Sequence, residues 1–420
     1  MRKIVAAIIS ALFAISAGAQ ITVQRQAQPS TQHPAIGQKP PSPSPSRLLH
    51  PMLFVSAQDP SMDWWFRIPS DSGPHLAEMR RAFYGQDFSV FPFAEGMGEK
   101  DGKFNLKYEI IVKKPDGNSV KVAEVPNFSG ELPDPNMIVA CPDIVGAKFD
   151  SSYPEGKYIF VMKLTDATSG KTAEDSTYVT LCKWSFPNPL VGESTVAEYI
   201  RTYYMQPNPE NLYAIFYSKN LNLEQSDAPN KLNYIYVGFL KAAFAKNKFL
   251  LPIIRDKFPT MDKLDRIKTI FLLAILDEPR FPKEEISEKE FEYQVKIRQA
   301  DIPNPYAEWH PIIGAAQIDL LWGEFFADGT YRPIRRIIDL LSLTEEANFA
   351  DSMAEQKKRP SNPEEKRKFM LGILHKAALM TLAKNSYEIA LVRKYCMWAM
   401  ENKDIPQGAK SEISPIIGEE

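Results

Sequence analysis

The stretch AAQIDLLWGEFFADGTYRPIRRIIDLLSL, residues 315–343, decides how the second half of this chain is read. Ile318, Leu321, Trp322, Phe325 and Phe326 recur at the i, i+3, i+4, i+7, i+8 spacing of one helical face. Gly329 suits the left-handed stop of a helix. Thr330 is placed to cap a second helix, and Pro333 fits its first turn. Ile334, Ile337, Ile338 and Leu341 supply the facing stripe. The stretch therefore predicts a helical hairpin. Only Arg332, Arg335 and Arg336 stand outside the stripes, at the start of the second helix, where the macrodipole disfavours cations. With Asp319, Glu324 and Asp328 on the first helix, two readings are open: the arginines hold an acidic ligand, or they pair across the hairpin.

Working outward, residues 191–420 read as helical. KLNYIYVGFLKAAF (231–244) is apolar over a wide face, and MDKLDRIKTIFLLAIL (261–276) aligns Leu264, Ile267, Phe271 and Ile275. Ser194 reads as the N-cap of the helix VAEYI. AFAKNKF (243–249), FFADGTY (325–331) and TLAKNSY (381–387) share a pattern of apolar residue, Ala, polar residue, Asn or Gly, and aromatic, which predicts three equivalent turns between antiparallel helices. Their starts at 243, 325 and 381 lie 82 and 56 residues apart. That is too irregular for a strict repeat and predicts a degenerate α-solenoid.

Residues 51–190 read as β. KFNLKYEIIV alternates Phe104, Leu106, Tyr108, Ile110 and Val112, Pro115-Asp116-Gly117 is turn chemistry, and VKVAEV returns. Tyr158, Phe160, Met162 and Leu164 alternate in a second hairpin that turns over Asp166–Lys171. Short strands with such turns predict a β-sandwich. PEGKYIFVMKLTDATSGK resembles the late hairpin of bacterial immunoglobulin-like accessory domains, which implies an Ig-like domain that presents, spaces or binds. LLWGEFFADG…PIRRIIDLL resembles the helical hairpin that follows a β domain in uncharacterised secreted bacterial proteins, a resemblance that carries no activity with it. The fold class expected is multidomain α+β.

The N-terminus reads as an export signal. Arg2 and Lys3 precede an apolar run, and Ala17-Gly18-Ala19 has small residues at cleavage spacing, so residues 1–19 are expected to be removed and the chain to start at Gln20. No Cys adjoins that point, so no lipid anchor is expected, and no later run reaches about 18 apolar residues. Residues 20–50, rich in Pro, Gln and Ser, read as an extended linker. The expected location is periplasmic or secreted.

Charge and motifs narrow the function. A net charge of −2 on 420 residues argues against a nucleic-acid partner. Five histidines without HxH or HExxH spacing, and no CxxC, argue against a metal; no nucleotide loop is present, so no cofactor is expected. His75 and Glu78 in HLAE make at most a half-site. Cys141 and Cys182 end two strand-like runs; they form either a disulfide closing a loop of roughly 40 residues, worth about 4 kcal/mol, or two small buried hydrophobes. Cys396 reads as a packed thiol. Trp64, Trp65 and Arg67 in DPSMDWWFRIPSD are candidate ligand contacts, with sugars or peptides as the suited chemistry. Tyr306, Glu308, Trp309 and His310 lie in a proline-bounded loop. The expectation is an exported, non-catalytic scaffold or binding protein whose partner is an envelope protein or a polysaccharide. The alternatives are a polymer-processing hydrolase using Glu308 and His310 as proton-handling groups, and a carbohydrate binder using Trp64 and Trp65.

Overall fold

The computed structural model describes residues 21–25, 48–57, 76–132, 138–225 and 228–418. The export signal, most of the linker, His75, Trp64, Trp65 and Arg67 lie outside them. The chain divides into two compact units, one ending at Ser185 and the other beginning at Phe186. It is a mixed α+β protein, in which no helix among the described residues is long and apolar enough to cross a membrane.

The first unit holds two sheets around one core. One sheet has the order β1 (Ile21–Arg25), β8 (Asp143–Lys148), β4 (Asp87–Glu95), β2 (His50–Ser56), with β7 (Val139–Ala140) on β4. The other runs β3 (Arg81–Phe83), β10 (Thr172–Cys182), β9 (Gly156–Asp166), β5 (Lys103–Lys113), β6 (Ser119–Glu131). The alternation expected along β5 and β9 is present: Phe104, Leu106, Tyr108, Ile110 and Val112, and Tyr158, Phe160, Met162 and Leu164, all enter the core. They meet Leu53, Val55, Phe88, Val90 and Val145 of the first sheet. Two polar bonds tie the sheets: the Leu53 amide donates to Asp175 at 2.8 Å, and the Asp143 amide to the Tyr108 hydroxyl at 3.1 Å.

Two expectations change here. Ile21–Arg25 belongs to the predicted linker, yet it pairs antiparallel with β8; its run of β-branched Ile21, Thr22 and Val23 suits a strand better than its surroundings do. Cys141 and Cys182 are free thiols. Cys141 lies buried beside β7 in one sheet, where burial pushes its pKa up, and Cys182 ends β10 in the other with its thiol on the Thr180 carbonyl at 3.6 Å.

The second unit is helical apart from a small hairpin, β11 (Glu224–Gln225) with β12 (Ala228–Leu232), which the sequence reading missed. Its centre is the pair α3 (Tyr234–Lys246) and α7 (Gly314–Asp328). A Cβ on Gly238 would stand 2.3 Å from the Leu320 carbonyl oxygen, and one on Gly323 would stand 2.1 Å from that of Ile235. The two backbones are thus in direct contact, which only residues without a side chain allow. Gly238 meets Leu320, and eight residues further along both helices Lys246 reaches Asp328 at 3.2 Å, so α3 and α7 run the same way. Each leads through a turn into a short helix, α4 (Leu250–Lys257) after α3 and α8 (Tyr331–Asp339) after α7.

The opening stretch folds as the periodicity requires. Ile318, Leu321, Trp322, Phe325 and Phe326 are buried, as are Ile334, Ile337, Ile338 and Leu341. Each such side chain contributes about 2 kcal/mol. Gly329 ends α7 at φ 65°, and the corner is closed by the Tyr395 hydroxyl on its carbonyl at 2.7 Å. Thr330 precedes α8 but makes no cap; its amide and hydroxyl donate to Asp328 instead.

Of the three expected turns, AFAKNKF and FFADGTY are breaks, but TLAKNSY is not. α10 (Pro363–Glu388) passes straight through it for 26 residues, because Asn385 turns its amide back onto the Thr381 carbonyl within the helix at 2.9 Å. The chain breaks at Ile389 before α11 (Ala390–Glu401), and α12 (Gln407–Gly418) follows. α1 (Glu193–Thr202) is preceded by Gly192 at φ 107°, so Ser194 is not its cap. On α5 (Lys263–Ile275), Phe271 and Ile275 are buried, whereas Leu264 is 43% exposed. Lys268 on the same helix is buried and donates to the Phe216 and Ser218 carbonyls at the end of α2 (Pro209–Phe216); burial draws its pKa down to about 8.

Two measurements test this account. Gly323→Ala should lower the urea-unfolding free energy by about 3 kcal/mol or more through forced separation of α3 and α7, whereas Gly408→Ala, whose nearest neighbour would be 3.5 Å away, should change it little. Equal effects would exclude the close crossing. The second concerns Glu290 on α6 (Glu288–Gln299), held by Arg266 at 2.7 Å and by the capping Ser287, with a pKa pulled down to about 2 from 4.5. Between those values the unfolded chain binds the extra proton, so the contribution is complete above about pH 4.5 and fades as pH falls towards 2. Glu290→Gln should cost about 3 kcal/mol at pH 7, and the gap to the parent should narrow below pH 4.5; a gap independent of pH over that range would refute the assignment.

Candidate functional site

The most built arrangement of predicted residues lies where the loop before α7 meets α8. Gln317, buried in the first turn of α7, organises that loop: its side chain accepts from the His310 amide at 3.1 Å and donates to the carbonyls of Asn304 at 2.9 Å and Glu308 at 3.3 Å. Tyr306 and Trp309 are thereby set against α8. The Arg332 guanidinium stacks over the Tyr306 ring at 3.9 Å, and the Arg336 guanidinium over Trp309 at 4.4 Å. Arg336 also donates to the carbonyls of Pro305, at 3.4 Å, and Ala307. Arg332 is exposed, and none of the hydrogen bonds among the described residues involves its guanidinium.

Behind this ladder sits a half-buried set of charges. The Tyr306 hydroxyl donates to Glu324 Oε1 at 2.7 Å, and Asp328 one turn on takes Lys246. Burial raises the Glu324 pKa, and the negative charge of Asp328 adds to the rise, while the Tyr306 hydrogen bond, Arg332 and Lys246 oppose it. The Tyr306 phenol is pushed up by burial and then by Glu324. Asp319, on another side of α7, is raised to about 6 by burial alone.

The other predicted residues separate from this group. Arg335 is committed to the fold, with Asp339 at 3.0 Å and the Asp404 carbonyl at 3.2 Å. Glu308 is exposed and ion-paired with Arg367 at 2.9 Å. His310 uses Nδ1 to accept from the Ile312 and Ile313 amides, at 3.2 and 3.4 Å, in the turn just before α7. Glu78 pairs with Arg80 at 2.6 Å. Sequence reasoning missed Gln317 and Lys246. The first was legible as a lone amide among apolar neighbours at a helix start; the second depends on the α3–α7 contact, which no local pattern announces.

No family model matches this chain, and no curated protein matches it. Solved structures with some likeness include a family 123 glycoside hydrolase from Clostridium perfringens, 9% identical over 36% of this chain and 32% of that one, TM-score 0.23. A Salmonella alpha-2-macroglobulin mutant is 9% identical over 79% and 26%, TM-score 0.19. The native E. coli alpha-2-macroglobulin is 8% identical over 81% and 24%, TM-score 0.18. Each match takes in less than a third of the other protein's length, and similarity at this level carries no argument about fold or activity.

Asp319 gives a pH test. Its folded pKa of about 6 lies above the ordinary 3.8, so the native state binds the extra proton between these values and stability falls as pH rises through them. Asp319→Asn should stabilise the protein at pH 7 by about 2 kcal/mol, allowing for partial exposure, with no difference below pH 3.8 in urea titrations. An unchanged or lower stability at pH 7 would exclude a desolvated carboxylate.

Proposed function

We propose that this chain is an exported, non-catalytic binding protein of the bacterial cell envelope that takes hold of an acidic group on a protein or polymer partner. In this reading an immunoglobulin-like sandwich spaces or presents, and a degenerate α-solenoid carries the contact surface. The side-by-side pairing of α3 with α7 in the same direction, each followed by a short helix, supports the solenoid reading.

The single observation that carries the binding reading is Arg332. Its guanidinium carbon lies 3.9 Å from the centre of the Tyr306 ring, which holds the cation in place while the residue stays exposed. A fixed planar fork is suited to a carboxylate or phosphate held by two parallel hydrogen bonds. Arg336, one turn along on Trp309, adds a second positive plane, so a partner with repeated acidic groups would gain from both. Glu324 and Asp328 do not compete, since they take Tyr306 and Lys246. Glu308 and His310 each have a structural task, which favours binding over the hydrolytic alternative.

Titration with poly-L-glutamate and with polygalacturonate at low ionic strength, followed by tryptophan fluorescence, tests the proposal. Arg332→Ala should weaken binding about tenfold, equivalent to about 1.4 kcal/mol, and Arg332→Lys should recover little of it. His310→Ala should leave binding unchanged. No binding of either polymer, or equal binding by Arg332→Ala, would overturn it.

A further inference from the structure

Three arginines that take no part in the ladder converge on the short loop between α5 and α6. The chain leaves α5 through Asp277, in the left-handed conformation at φ 56°, and the Glu278 amide returns to the Leu273 carbonyl at 2.9 Å. Two guanidinium groups then take consecutive carbonyls of the loop. Arg255, in the last turn of α4, donates to the Pro279 carbonyl at 2.5 Å and lies over the Phe281 ring at 4.7 Å. Arg298, in the last turn of α6, donates to the Glu278 carbonyl. Arg280 follows those two carbonyls directly and is exposed. Cations at helix C-termini and guanidinium groups on loop carbonyls are ordinary. Two features exceed what that task needs. Among the described residues no hydrogen bond or ion pair involves the Arg280 side chain, and neither Arg255 nor Arg298 is ion-paired. The Arg298 Nε is also buried without a partner. Burial and then the charge of Arg280 draw the Arg298 pKa down; Asp277 opposes this and Arg255 adds to it. The fold thus holds like charges together, unpaired, at a cost that a bound anion would remove.

We propose that Arg255, Arg280 and Arg298 form an anion site, separate from Arg332, for a phosphoryl group: inorganic phosphate or a phosphate monoester. Guanidinium groups meet such oxygens with paired N–H donors. Arg255 and Arg298 are pre-placed by the carbonyls they hold, and Arg280 supplies the accessible guanidinium. Asp277 and Glu278, the acids of the same loop, offset two of the three positive charges and leave the rest to the ligand. A doubly charged group answers three guanidinium groups better than a single carboxylate does.

The test is thermal unfolding of the full-length protein, followed by circular dichroism, in about 20 mM inorganic phosphate and in sodium chloride of equal ionic strength. Phosphate stabilises folded proteins in general by exclusion from their surfaces. The quantity read is therefore the phosphate shift of the parent beyond that of Arg280→Ala. That excess should be about 4 °C, as for a ligand present at about twenty times its dissociation constant. In sodium chloride Arg280→Ala should unfold no earlier than the parent, because the substitution removes a like charge and no bond. Lys241→Ala, an exposed position on α3, makes the same change of net charge and should keep the full shift, as should Arg332→Ala. A parent shift no larger than that of Arg280→Ala overturns the proposal. So does an Arg280→Ala variant that unfolds earlier in sodium chloride, which would make Arg280 part of the fold. Loss of the excess in Arg332→Ala would assign the phosphate effect to the ladder, and its loss in Lys241→Ala would make it one of net charge; either overturns the site. Glycerol phosphate separates the two sources. An equal excess assigns a phosphoryl group carried on a larger molecule, and an excess with inorganic phosphate alone assigns the free ion. Because Arg332→Ala leaves these three arginines whole, this proposal and the acidic-ligand reading fail separately.

Discussion

The helical unit depends on the contact between the backbones of α3 and α7 at Gly238 and Gly323. A helix interior glycine costs about 1 kcal/mol relative to alanine, and the fold accepts that cost twice. What it gains is an approach closer than any side chain permits, and with it a fixed register. The register carries Lys246 to Asp328. Asp328 in turn holds the Thr330 amide and hydroxyl, which sets the corner at Gly329 and the point where α8 begins. The position of Arg332 is the last link in this chain. A displacement at the crossing would therefore be felt at the ladder, although the glycines touch none of its residues.

The same close packing makes α7 an unusual place for carboxylates. Fifteen residues long and buried on most of its circumference, it still carries Asp319, Glu324 and Asp328. Asp328 has a lysine and a threonine, and Glu324 a phenol, whereas Asp319 is raised by burial alone. The order of these environments is the order of their expected cost, since a buried charge is tolerated in proportion to the partners it finds. Tyr306 joins the two sides of the site. Its hydroxyl serves Glu324 and its ring face serves Arg332, so the cation rests on a ring whose polar end is already tied down.

What the sequence made legible follows from how local each signal is. The stripes of α7 and α8 and the alternation along β5 and β9 repeat within a few residues, and the structure buries those side chains. Gly329 was legible because a left-handed stop needs a residue of its kind. Gly323 was not, because a glycine inside a helix says nothing about which distant helix comes to meet it. Asn385 misled for a related reason: asparagine ends helices by adopting the left-handed conformation, and here its side chain bonds the preceding turn and the helix continues. Ile21–Arg25 was absorbed into the composition of its neighbours, since the strand that pairs with it lies more than 100 residues away. The candidate site was legible in membership and illegible in pairing. The arginines and aromatics were picked out, but their partnering required the fold.

The arginines themselves show how a local rule, applied further, separates structure from function. Arg335 has Asp339 four residues ahead, the spacing at which opposite charges meet on a helix, and the two do pair at 3.0 Å. Arg332 has Arg336 at that position, a like charge, and Arg336 has Leu340. Neither finds an acid along its own helix. Both turn instead to aromatic rings delivered by the loop before α7; Arg336 also donates to the Pro305 and Ala307 carbonyls, whereas Arg332 stays exposed over its ring. Three arginines within five residues thus divide into two that hold α8 to its surroundings, Arg335 through Asp339 and Arg336 through two loop carbonyls, and one, Arg332, that rests on a ring and stays exposed.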